Sequence, residues 1–134
     1  MEISSFDELL TAARSQPQPQ CLLFVFAAAE LPDDATPQER ARFEAGEGGA
    51  LEPVMAVDKS PAELTDFAAL AEESNRFGRP WTLVFVAALS GRSGSAPAEK
   101  EVEDALERMV EAVRIGRLDG FIPFDREGNA VRFG

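Results

Sequence analysis

Two nine-residue stretches, Cys21–Ala29 and Trp81–Leu89, the second interrupted only by Thr82, restrict the folds open to this chain more than anything else in it. Neither alternates with polar residues as a half-solvated strand does, and each is half the length that crosses a bilayer as a helix. Both read as strands buried on two faces, the place a strand occupies in a parallel sheet between layers of helix. With 134 residues, 45% of them hydrophobic, the chain is large enough to bury such strands. A domain of this size removes roughly two-thirds of its unfolded surface from water. No repeat and no linker interrupts it, so one domain over 1–134 is expected.

Helix signals fall between the apolar runs. Ser5-Phe6-Asp7-Glu8, Thr36-Pro37-Gln38-Glu39 and Ser60-Pro61-Ala62-Glu63 fit the capping box, in which a hydroxyl and a carboxylate satisfy amides at the start of a helix. The first predicted helix stops by Gln16, because Pro17 and Pro19 disfavour helical backbone before them. The second runs through Phe43. Leu51–Val57 reads as a strand, and the third box opens a helix carrying Leu64, Phe67, Ala68 and Ala71 that ends at Phe77-Gly78. From Pro97 the spacing of Val102, Ala105, Leu106, Met109, Val110 and Val113 predicts the strongest amphipathic helix, with Leu106, Met109 and Val113 laid against the sheet. Phe121–Phe124 and Ala130–Phe133, around Asp125–Asn129, predict a hairpin. Strands alternating with helices predict an α/β domain: a mixed, mostly parallel sheet with flanking helices and a C-terminal β-hairpin. A two-layer α+β sheet is the alternative.

The charge and the missing residue types exclude several function classes. Twenty-four acids against 13 bases give a net charge of −11, which repels nucleic-acid phosphates. The chain has no His and no Tyr, so the commonest general base and the commonest transition-metal ligand are absent. Cys21 is the only cysteine and makes no internal disulfide; with no basic neighbour in sequence to activate it, it reads as a packed thiol. Met1–Ser5 lacks the pattern of a signal peptide, and no apolar run is long enough for a membrane span, so a cytoplasmic location is expected. Asp33, Asp34, Glu44 and Glu47 match no calcium-loop spacing. Neither a metal nor a cofactor is expected.

The loop Ser90, Gly91, Arg92, Ser93, Gly94, Ser95 carries the most chemical flavour. It follows a buried strand and precedes a helix, where open α/β sheets bind anions on free amides, and Arg92 would be the clamp. It lacks the Lys-Ser/Thr pair of a phosphate-binding loop and the three glycines of a dinucleotide site. Asp58 and Lys59, expected at the carboxyl end of a strand, are the other candidates for binding a small anion. No residue is assigned a catalytic role. Phe77 and Trp81, on either side of a turn, and Phe133 in the last strand are the candidate interface residues. Eleven aromatic rings in a small domain suggest surplus apolar surface for a subunit contact. The leading expectation is a non-catalytic binding domain, acting as a homodimer or on a protein partner. The alternative is an anionic-ligand binder or enzyme using the 90–95 loop.

At Leu22–Ala27, Glu30–Asp34, Pro37–Phe43, Val57–Lys59, Val84–Ala88 and Gly120–Asp125 the chain resembles, over nearly its whole length, a family of short proteobacterial proteins. Members are often labelled ribonucleotide reductase subunit alpha. The label implies reduction of ribonucleotides, which in a large subunit requires a radical-forming Cys, a redox Cys pair and Tyr residues. With one Cys and no Tyr, this chain is expected not to perform it. No site residue carries over from the resemblance.

Overall fold

The computed structural model describes residues 3–30, 34–44, 50–76 and 80–131. Its elements are α1 (Phe6–Arg14), β1 (Gln20–Glu30), α2 (Pro37–Glu44), β2 (Ala50–Lys59), a 3-10 turn (Pro61–Glu63), α3 (Phe67–Asn75), β3 (Leu83–Ser90), α4 (Glu99–Arg114) and β4 (Ile122–Phe124). The strands form one sheet in the order β2-β1-β3-β4, and every neighbouring pair is antiparallel. This corrects the expected mostly parallel sheet: the fold is α+β.

The two apolar strands are adjacent and central, as burial on both faces requires, but they run in opposite directions. Phe24 lies opposite Val86 and Phe26 opposite Val84. Burial on two faces was the correct inference from these sequences, and parallel pairing was the incorrect one, because helices cover both sides of this antiparallel sheet. Leu22, Phe24, Phe26, Val84 and Val86 point to one side and meet Phe6, Leu9 and Leu10 of α1, Leu64, Phe67 and Leu70 around α3, and Phe124. Leu23, Val25, Ala27 and Phe85 point to the other and meet Val102, Met109 and Val113 of α4. The period-two alternation of a strand thus supplies two cores from one apolar run. The strand-helix alternation misled because β2 and β3, joined through α3, do share a direction, yet β1 lies between them.

Local signals set most helix boundaries. Ser5 Oγ accepts from the Glu8 amide at 3.3 Å, while the Glu8 carboxylate reaches back to the amide and hydroxyl of Ser4. Thr36 and Glu39 satisfy each other's amides reciprocally. At the third box the Glu63 carboxylate accepts from the Ser60 amide at 2.8 Å, but only a 3-10 turn follows. The helix restarts because Asp66 Oδ1 accepts from the Ala69 amide at 2.9 Å and forms a new N-cap. In β2, Phe26 pairs with Met55 and Ala27 with Pro53, leaving Val54 as a bulge. A bulge is where a strand tolerates proline, and it lets consecutive Val54 and Met55 both pack on the α1/α3 side.

The sheet edge at β4 is closed by the chain itself. An isolated bridge joins Phe124 to Ala130, and the Val131 amide donates to Pro123 O at 3.0 Å, so the return of the expected hairpin is present as far as the described residues go. Residues 4–6 add to it: Ser5 bridges Asn129, and the Phe6 amide donates to Gly128 O at 2.9 Å. Gly128 has φ +84°, and a Cβ there would stand 2.9 Å from the Phe67 ring. Only glycine fits both the conformation and the contact.

Not all of the α4 stripe is core. Met109 is 2% exposed and Val113 fully buried, whereas Leu106 and Val110 are half-buried. Met109→Ala is therefore expected to destabilise the protein by about 2–5 kcal/mol. Leu106→Ala should cost less than half as much, and urea midpoints of the two variants check the order.

Candidate functional site

The loops after β2 and β3 leave the sheet at the same end, because Leu22 pairs with Lys59 on one side and Gln20 with Ser90 on the other. This brings the two candidate anion-binding groups to either side of the start of β1. Most of the loop's amides are already engaged. Arg92 and Ser95 exchange both backbone hydrogen bonds, at 3.0 and 2.9 Å, across a turn whose central residues Ser93 and Gly94 have φ 52° and 79°. Positive φ at both central positions is the pattern of a type I′ turn, not of an open phosphate-binding loop. The Gly91 amide donates to Pro19 O at 2.7 Å and the Gly94 amide to Gln18 Oε1 at 2.7 Å. Gly91 is held so closely that a Cβ would collide with Ser95 O. Four amides that an anion would use are thus engaged by the protein, while Ser90 Oγ accepts from Gln20 Nε2. Arg92 extends into solvent and lies 3.4 Å from Glu101.

Lys59 Nζ lies 2.8 Å from Glu73 Oε1, which ties the end of β2 to α3. Asp58 Oδ2 is 4.0 Å from Cys21 Sγ. Partial burial, then the negative charges of Asp58 and Glu63, push the Cys21 thiol above its ordinary value of 9.0. A thiol placed so is protonated and unreactive at neutral pH. Among the described residues, no three acidic or thiol side chains come together as a metal site. Of the four acids considered for one, Asp33 and Glu47 fall outside the described residues.

Of the interface candidates, Phe77 and Phe133 fall outside the described residues. Trp81 is 4% exposed and packs within the chain. Its ring meets Phe26 at 5.0 Å between centroids, its Nε1–H donates to Ser74 Oγ at 2.7 Å, and Arg126 lies 4.3 Å above it. The Arg126 guanidinium also donates to Asn75 Oδ1 at 3.1 Å, so Trp81 anchors the C-terminal turn to α3. The surplus of aromatic surface anticipated from eleven rings does not occur among the described residues, where Ile115 is the one exposed large hydrophobic.

Two apolar clefts do open to solvent. One, of about 220 Å³, lies between α1 and the sheet at Leu9, Ala13, Leu22 and Ile122. The larger, about 380 Å³, runs between α4 and β2. Its apolar residues are Ala56, Leu106 and Val110, and Glu103, Glu107, Glu111 and Arg114 complete its lining. Neither the 90–95 loop nor Asp58 and Lys59 line either cleft. Sequence reasoning missed the larger groove by treating the whole α4 stripe as core. The signal was present in the glutamates at 103, 107 and 111, which recur every four residues beside Leu106 and Val110.

No family model, curated protein or solved structure matched the chain. Among the described residues, no helix is long and apolar enough to cross a membrane.

The raised thiol pKa has a testable sign. The folded chain holds the Cys21 proton more tightly than the unfolded chain, so this contribution to stability is complete below the ordinary thiol pKa of 9.0. It is lost as pH rises through the higher folded value. Alkylation of native protein by iodoacetamide at pH 8 should run several-fold slower than alkylation in urea. Between pH 8 and 10 the urea midpoint of the wild type should fall more than that of Cys21→Ala.

Proposed function

We propose that this chain acts in the cytoplasm as a non-catalytic binding domain for a protein partner, with the groove between α4 and β2 as its contact surface. The make-up of that groove carries the reading. Three half-buried apolar residues, Ala56, Leu106 and Val110, lie open to solvent between exposed charged ones, with no thiol or hydroxyl beside them. An apolar strip bordered by charge is how protein contact surfaces are built. The 90–95 loop supports an anion-binding or enzymatic reading less well, because its amides are engaged by Pro19, Gln18 and the turn itself.

A photoreactive amino acid placed at Val110 in living cells tests this. It is expected to give a defined protein adduct that the same group at solvent-exposed Arg92 does not give. Absence of any adduct specific to Val110 would remove the reading.

Self-association is a second reading, favoured by the outer edge of β2, which pairs with no strand among the described residues. Antiparallel pairing of two copies about Val57 uses the regular stretch of that edge and sets Met55 of each opposite Lys59 of the other. It also has the two-fold symmetry commonest in dimers. Pro53 and the Val54 bulge leave only Met55–Lys59 as regular edge, so the contact is small and the expected homodimer weak. Light scattering should show a mass that rises with concentration above the micromolar range. A constant single-chain mass would eliminate the dimer.

A further inference from the structure

We propose that the partner segment received by the α4–β2 groove is a basic amphipathic helix; this rests on the binding-domain reading and names its ligand. Shape selects a helix. The groove follows α4 from Glu103 to Arg114, about 18 Å at 1.5 Å per residue, which is roughly three helical turns. Its apolar contacts, Leu106 and Val110, are one turn apart, a spacing that meshes with an apolar ridge of i, i+3, i+4 and i+7 residues on a second helix.

Charge selects a basic one. Three glutamates and one arginine line the groove, and the arginine is already neutralised, with Arg114 Nη1 2.8 Å from Glu111 Oε2. Glu103 and Glu107 are exposed and have no ion-pair partner among the described residues. They leave uncompensated negative charge beside Leu106, towards the start of α4. Lys or Arg residues flanking the apolar ridge of an incoming helix would answer that charge. The same charge disfavours a second copy of this chain in the groove, because glutamates would then face glutamates. The net charge of −11 adds long-range attraction for a cationic segment and repels acidic ones.

The test uses the full chain and a labelled synthetic 18-residue helical peptide with Leu at i, i+3, i+4 and i+7 and Lys or Arg on both flanks of that ridge. Two controls accompany it: a scramble of the same composition without an apolar face, and a version with Glu on the flanks. By fluorescence anisotropy the amphipathic basic peptide is expected to bind saturably, at least tenfold tighter than either control. Its affinity should fall as salt rises. Both glutamates are exposed, so the double variant Glu103→Lys, Glu107→Lys should keep the wild-type thermal midpoint and lose at least tenfold in affinity. Val110→Lys should lose affinity as well, and amide shifts on binding should map to α4 and β2. No binding, equal binding of the scramble, or indifference to the double variant would overturn the proposal. A dimer that the double variant abolishes would assign the groove to a second copy instead. A protein adduct at Val110 with no response to the basic peptide would leave the binding domain standing and remove its basic ligand.

Discussion

Burial of β1 on both faces is the constraint on which the rest of the structure depends. Six consecutive residues, Leu22 to Ala27, alternate between two separate cores, and none of them is more than 4% exposed. A strand with no solvated face needs a strand on each edge and helices above and below. β2 and β3 supply the edges, α1 with α3 one cover, and α4 the other. Aromatic packing then fixes the cover on the α1 side. Phe6 meets Phe24, Phe67 and Phe124 at 5.4–6.0 Å between centroids, and these rings come from α1, β1, α3 and β4. One side chain therefore ties four elements together, and the Ser5 cap places it.

Burial was legible in the sequence, and direction was not. Unbroken apolar strands declare that both faces are covered, and hydroxyl-to-carboxylate spacings declare where helices begin. Neither says whether neighbours run together or opposed, because side-chain burial is the same in both. Direction is settled by which connection crosses which strand. The path from β2 through α3 to β3 passes β1, whereas α2 presents exposed residues from Pro37 to Arg42 and forms no crossover layer. A short amphipathic helix beside an apolar strand looks alike in either arrangement. The interruption before α3 was legible in principle, since Asp66 is an N-cap residue three positions before Ala69, but the stronger-looking box at Ser60 drew the boundary too early.

The candidate groups were harder to read because their partners are remote in sequence. Ser-Gly-Arg-Ser-Gly-Ser is the composition of an anion loop and of a tight turn alike. What distinguishes them here is Gln18, which reaches Gly94 across 76 residues. Trp81 at the mouth of a strand looked free to anchor a partner, yet Ser74 and Arg126, one on each side of it in sequence, claim its N–H and its face. The groove along α4 is the opposite case, a feature written locally. Its helix carries a wider apolar band than one sheet face covers, and the glutamates beside Leu106 and Val110 mark where burial ends.

The hydrogen bonds between residues 4–6 and 128–130 join segments 122 to 126 residues apart in sequence. Phe6, at the centre of the ring cluster, receives part of its fixation from Gly128 O, and Gly128 in turn packs on Phe67. The α1 side of the sheet is consequently incomplete until the turn around Gly128 is in place. Contacts of this sequence separation slow folding, because a long loop must close before they contribute. During translation the nascent chain therefore holds Phe6 beside an unfinished surface until residues 128–130 have been made.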